Sequence, residues 1–407
     1  MNPSVFAIAW RNLLRNARRS LLTVSTVGIG LAALLFLWGF NDGMHNAMIR
    51  NFQSLFAGSL QIHKQGFFRQ PKLGIHIQHP ETVAGALEAL GVRQWTPRLQ
   101  AFVLAAGPET SAGMQMVGVD PRREPRVTRL AERVVWGRFL KPEDTNACLL
   151  GAVSARNLRV KPGDPVVLLT QGRDGALAAE RVTLVGIVAS GVPDLDRGTV
   201  WVPLEAAQAM LGMGGRLTTV VARVPEARLD RVAAALRGRL GPEGLEVLRW
   251  HEMFPVMREW IALDNGFYYI FLGVVLIIVV AGVMNTVLVS MLERTREFGV
   301  LLALGTRPVE IGAMVAAESL MLGLAGTLAG GLAGLGLVGL FGHVGIDLSF
   351  MSASLTRFYI DPVIYTEIHA DHLAVTVLAV LAATSFSSLY PAWKAARLDP
   401  VEAIRHA

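Results

Sequence analysis

The sequence predicts a membrane α-helical protein with four transmembrane helices and a large extracytoplasmic α/β domain that contains a β-rich insertion. Three observations predict it. Hydrophobic residues make up 52% of the 407-residue chain and charged residues only 17%, a balance outside that of ordinary soluble domains. The apolar residues are also concentrated: Leu21 to Phe40, Asn265 to Leu292, Ser319 to Gly342 and Leu373 to Trp393 contain no Asp, Glu, Lys or Arg, and each is long enough to cross about 30 Å of hydrocarbon. Between the first two lies a stretch, 42–264, that is too long for a loop and too mixed in composition for a linker.

Residues 1–20 read as a cytoplasmic amphipathic lead. Phe6, Trp10, Leu13, Leu14 and Ala17 share one helical face and Arg11, Arg15 and Arg18 the opposite one, the pattern of a helix lying among lipid headgroups. A basic lead that only sets topology has the same composition. The first span, 21–41, reads as an uncleaved anchor. A cleavable signal core is about 7–15 residues long and ends at a small-x-small site, whereas this one runs on to Trp38 and Phe40 before Asn41 and Asp42.

In the domain 42–264, Ser59 to His63 reads as a strand, Pro80 to Leu90 as a helix with Val83, Leu87 and Leu90 on one face, and Val92 to Trp95 as the start of another strand. Pro80 sits in the first helical turn, where its missing N–H does no harm. Near the domain's end the order repeats: strand 217–224, helix 226–240 with Leu229, Val232, Leu236 and Leu240 in phase, then strand 245–250. Two βαβ-like halves therefore flank a middle piece, about 115–202, whose β runs 166–170, 182–188 and 199–202 and turn signals at Lys161-Pro162-Gly163-Asp164 and 172–175 predict a β-rich insertion.

Spans 265–292, 319–342 and 373–393 follow, joined by segments 293–318 and 343–372 and closed by a tail, 394–407. Short-loop Lys and Arg orient them. Arg294, Arg296 and Arg307 follow span 2, and Lys394, Arg397 and Arg405 lie in the tail, but 343–372 has only Arg357. Both termini and 293–318 are thus expected in the cytoplasm, with 42–264 and 343–372 outside. In span 3, Gly326, Gly330 and Gly334 recur every fourth residue, and in lipid such a stripe lets helix backbones touch. Glu318, at the mouth of span 3, is expected to pair with Lys394 or Arg397 across the boundary, or to reach the interface alone.

Several chemistries are excluded or unsupported. The net charge of +6 resides partly in juxtamembrane arginines, with no basic stripe interleaved with aromatics, so no nucleic-acid partner is expected. Cys148 is the only cysteine, which excludes an internal disulfide. The nine histidines show no H-E-x-x-H or comparable metal spacing, and no Gly-x-Ser-x-Gly occurs. No catalytic, cofactor-binding or metal residues are expected. A P-loop requires G-x-x-x-x-G-K-[ST], and the chain contains no Gly-Lys pair.

Two motifs resemble one family. Glu293-Arg294-Thr295-Arg296-Glu297-Phe298-Gly299, followed by Ala303-Leu304-Gly305, is similar to the Glu-Arg-x-x-Glu-[Phe/Ile]-Gly and Ala-x-Gly of the FtsX-like permeases, although Leu302 stands where that family often has Arg or Lys. Pro391-Ala392-Trp393-Lys394-Ala395-Ala396 through Asp399-Pro400-Val401-Glu402-Ala403-Ile404-Arg405 resembles the ending of the same family. In the large domain, Gly118-Val119-Asp120-Pro121, Gly137-Arg138-Phe139-Leu140, 186–191 and Val202-Pro203-Leu204 with Ala207-Gln208 are similar to segments of lipoprotein-releasing permeases and their MacB relatives.

The resemblance implies a type VII ABC transporter permease with a MacB-like periplasmic core domain in the bacterial inner membrane. Glu293, Arg294, Arg296, Glu297, Gly299 and Gly305 would couple it to a dimeric cytoplasmic ATPase that uses ATP and Mg. It also implies a second permease copy or paralogue, and mechanotransmission through the helices to the outer domain. Lipoprotein or other amphipathic cargo would leave the membrane, passing to a periplasmic chaperone or adaptor. A MacB-like exporter of peptides, toxins or drugs, and an FtsX-like relay to a cell-wall hydrolase, are the alternatives.

Overall fold

The computed structural model describes residues 17–351, 362–399 and 403. Most of the amphipathic lead and the end of the C-terminal motif lie outside the described residues. The chain divides into two compact units, one holding the long apolar helices and the other, Ala47–Glu259 with Leu348–Pro362, holding a sheet.

In the first unit, four helices among the described residues are long and apolar enough to cross a membrane: Ala17–Leu55, Pro255–Glu293, Pro308–Val344 and Ala370–Ala395. They outrun the charge-free stretches because ionisable residues at their ends find partners. Arg19 pairs with Glu293, and Asp42 bonds to His372. Inside the bundle, Val27, Leu31, Leu34 and Leu35 of span 1 pack with Val279, Val283 and Val287 of span 2, Ile311 and Val315 of span 3, and Val380 of span 4. Side chains on the outer faces, such as Ile277, Leu328 and Leu378, are exposed as lipid-facing residues must be.

The glycine stripe of span 3 faces span 1 of the same chain. A Cβ built on Gly330 would lie 2.4 Å from the carbonyl oxygen of Gly28 and 2.8 Å from its Cα, so only glycine permits this approach. At Gly326 a Cβ would meet Val27 at 2.6 Å, and at Gly334 it would meet Leu35 at 3.0 Å.

The second unit is built on a ten-stranded sheet running β10-β1-β9-β2-β3-β8-β5-β7-β4, with β6 bridging β2 and β7. The strands are β1 Leu60–Lys64, β2 Trp95–Ala106, β3 Ser111–Val119, β4 Val134–Gly137, β5 Ala147–Gly151, β6 Pro165–Gln171, β7 Leu177–Val188, β8 Thr199–Pro203, β9 Thr219–Ala222 and β10 Leu245–Arg249. The two βαβ halves interleave rather than stand side by side. β1 lies between β10 and β9, antiparallel to both, and β9 lies between β1 and β2. That is the split βαβ, ferredoxin-like order. Helices Pro80–Ala89 and Glu226–Leu240 cover this part through Val83, Leu87, Leu229, Val232 and Leu236. The middle piece does not form its own sheet. β2 is long enough to pair with β9 at one end and β6 at the other, so the insertion continues the same sheet and packs its own core of Leu99, Met116, Leu150, Leu168 and Val200.

An ion pair is sealed inside this domain. Arg98 on β2 donates to Glu124 through Nη2 at 2.5 Å and Nε at 3.3 Å, and the hydroxyls of Thr96 and Thr128 donate to the same carboxylate at 3.1 and 2.8 Å. Both charged side chains are almost wholly buried, a state tolerated only when each charge is hydrogen-bonded.

Candidate functional site

The segment joining spans 2 and 3 is a short amphipathic helix set between two turns. Span 2 stops at Glu293 because Arg294 leaves the helical backbone at φ −105° and ψ 7°. The chain then resumes as helix Thr295–Ala303. That helix ends in a Schellman motif: Gly305 N–H donates to Leu302 O and Thr306 N–H to Leu301 O, at 3.0 and 3.1 Å. Gly305 has φ +97°, which a side chain would strain, and this accounts for the glycine of the Ala-x-Gly motif. Span 3 then opens with Pro308 in its first turn and the Arg307 N–H bonded to the Glu310 carboxylate at 3.1 Å.

The inward face of this helix is apolar and anchored. Phe298 is fully buried with Met291, Ile311, Val315 and Ala395, while Leu301 and Leu302 pack at the edge of the same cluster. Leu302 therefore extends the bundle core at the position where the family often carries a cation. Gly299 is buried on the same side. The Thr295 hydroxyl donates to Leu292 O at 2.9 Å, closing the turn.

The ionisable residues of the motif divide into two groups. Glu293 is held by both Nη atoms of Arg19, at 2.6 and 2.5 Å. Arg294, nearly buried, donates to Glu297 at 3.0 Å and to Glu318 at 3.1 Å, with its guanidinium over the Phe298 ring. This corrects the expected boundary pair: Glu318 bonds Arg294, which enters from the span 2 end, rather than Lys394 or Arg397. Arg397 instead lies 4.4 Å over the Trp393 ring. Arg296 and Glu297 remain at the surface, beside exposed Val300, Leu304 (79% exposed) and Val309 (76%). Exposed apolar residues here stand next to side chains of both charge signs.

The described part of the C-terminal motif packs on the start of span 3. Short helix Leu389–Ala395 buries Pro391 and Ala395. A Cβ built on Gly312 would lie 3.0 Å from Ala392 O and 3.4 Å from Ala396 Cβ, so the small residues of that motif serve close contact.

Two features escaped the sequence reading. Arg19 was assigned to the lead, yet it clamps Glu293. At the other end of the bundle, Asp42, His45, Asp264, His369 and His372 come together from spans 1, 2 and 4. Asp42 with His45, and His369 with His372, each stand three apart next to a span end, and that spacing was the available signal.

Comparison with known proteins places these features in context. Residues 20–239 match the family model for the MacB-like periplasmic core domain, and residues 269–400 match that for the FtsX-like permease C-terminal region. The lipoprotein-releasing system transmembrane protein LolC of Xylella fastidiosa is 26% identical over 324 residues, covering 76% of this chain and 77% of the relative. The macrolide export ATP-binding/permease protein MacB of Rhodospirillum rubrum is 29% identical over 424 residues, covering 98% of this chain. This chain spans only 59% of that relative's length. Among solved structures, the extracellular domain of the noncanonic ABC-type transporter YknZ from Gram-positive bacteria aligns with 47% of this chain and 99% of its own, at 15% identity and a TM-score of 0.35.

Proposed function

This chain belongs to the FtsX-like permeases that carry a MacB-like periplasmic core domain, and from that premise we propose that it couples ATP hydrolysis by a partner ATPase to movement of its large domain, releasing lipoproteins or similar amphipathic cargo from the inner membrane. The observation that carries the coupling role is the surface formed by Arg296, Glu297, Val300 and Leu304 on a helix whose other face is locked into the bundle. An ATPase seated there pushes on a helix that leads directly into span 3, and span 3 touches span 1 backbone to backbone at Gly330 and Gly28. Force reaches the large domain through helices without a hydrophilic path across the bilayer. In this reading both termini are cytoplasmic, ATP and Mg are used by the partner, and two permease copies or paralogues seat the ATPase dimer.

The lipoprotein assignment is supported by the similarity to LolC, a lipoprotein-releasing system transmembrane protein. The alignment of the MacB relative over 98% of this chain favours export through an adaptor as the second reading. ATP-dependent loss of a triacylated lipoprotein from proteoliposomes holding the permease and ATPase separates the two.

The docking surface is tested by Leu304→Asp and Arg296→Glu. Both side chains point away from the bundle, so normal membrane levels with lost co-purification of the ATPase are expected. Truncating charged contacts at a buried interface costs about 2–5 kcal/mol, roughly thirty-fold or more in affinity. Retained co-purification with wild-type coupled hydrolysis in both variants overturns the reading.

A further inference from the structure

We propose that Asp42, His369 and His372 form a site for a divalent transition-metal ion of the zinc class. The three donor groups lie within 4.8 Å of one another. His372 Nδ1 stands 2.8 and 2.9 Å from the two carboxylate oxygens of Asp42, and His369 Nδ1 stands 3.8 Å from Asp42 Oδ1. The last distance is too long for a hydrogen bond. It fits two donors on one ion, because tetrahedral bonds of ~2.0–2.1 Å place donor atoms roughly 3.3 Å apart. The separations of the two imidazoles from Asp42 bracket that value.

The chemistry of the set agrees with the geometry. Two imidazoles and one carboxylate, with a fourth position left to water or another ligand, are a usual donor set for zinc and suit neighbouring divalent metals. Asp42 is 1% exposed, so its carboxylate must be met by hydrogen bonds or by a cation. An ion held by Asp42 and His372 together would supply such a cation. His369 is half exposed and gives access from outside.

Surrounding groups hold the donors in place, as metal sites require. The Trp38 ring stacks on His372 at 3.9 Å, fixing the imidazole plane. His369 N–H donates to Asp42 Oδ2 at 2.9 Å, which orients the carboxylate. The adjacent histidine, His45, stands with Nε2 3.0 Å from Asp264 Oδ2 and lies outside the set. An ion here would join span 1 to the start of span 4.

The probe is cobalt(II), titrated into untagged full-length protein in detergent and followed by its visible d–d absorption, with zinc(II) as competitor. One cobalt per chain, displaced by zinc, is expected. His372→Ala and His369→Ala should each lower affinity by roughly 100-fold or more, beyond the 10–100-fold typical of losing a supporting residue, while His79→Ala, a histidine on the large domain, should change nothing. If His372→Ala does not fold, His369→Ala carries the test, because its side chain is half exposed. Indistinguishable titrations of wild type and the His369→Ala/His372→Ala double variant would overturn the proposal, as would equal loss in His79→Ala.

Discussion

Gly28 and Gly330 meet backbone to backbone, with space between spans 1 and 3 for hydrogen atoms and nothing larger. Leu332, two residues further along span 3, points the other way and is 76% exposed. Gly330→Leu should therefore separate the two helices, whereas Leu332→Ala trims a largely exposed side chain. Overpacking costs about 1–3 kcal/mol or more, so folded protein in the membrane should fall roughly tenfold in the first variant and by less than twofold in the second. Equal levels by fluorescence-detected size exclusion of detergent extracts would remove the contact's importance.

The sealed pair of Arg98 and Glu124 gives a second expectation. Glu124→Gln leaves the Arg98 guanidinium buried without its counter-charge and should destabilise the large domain by about 3–5 kcal/mol. Replacing both with apolar residues, Arg98→Met with Glu124→Leu, should recover most of that loss because no charge is left unpaired. A double variant no more stable than Glu124→Gln in urea unfolding would contradict this account.

Cys148 supplies the reporter for that experiment. It is buried in β5, and desolvation pushes its thiol up to about 12. Only the thiolate reacts, so a maleimide should leave the folded protein unlabelled even at pH 9 and modify it once the domain unfolds. Raising the pH through 9 would ionise the unfolded thiol but not the folded one, which disfavours folding slightly at alkaline pH. Rapid labelling of the native protein would show that β5 opens without global unfolding.

How much of this was legible in the sequence depends on the distance over which each feature is encoded. A run without charges is a local property, and so were the strand and helix periods around Val83 and Leu229. The interleaving of β1 between β9 and β10 was not local, since it joins His63 to Thr219 and to Glu246. That the insertion shares the sheet of the two halves is not local either, because nothing in β2's own residues announces that its two ends serve different partners. Glu318 was matched with Lys394 and Arg397 because near-uniform apolar spans carry no rotational phase. Only packing shows that Arg294 faces it. Gly326, Gly330 and Gly334 were found because their spacing is itself a one-dimensional pattern, though the partner helix was not written there.

The reach of Asp42 also sets a timetable for biosynthesis. Its hydrogen-bonding partner His372 lies 330 residues further along the chain. At ~5–20 residues per second of translation, span 1 must wait tens of seconds at the insertion machinery with a carboxylate near the lipid boundary and no partner for it. Until span 4 emerges from the ribosome, that acid must be solvated by water or shielded by an insertase. The nascent chain is thus most vulnerable to quality-control proteolysis after its large domain has been made and before its last helix arrives.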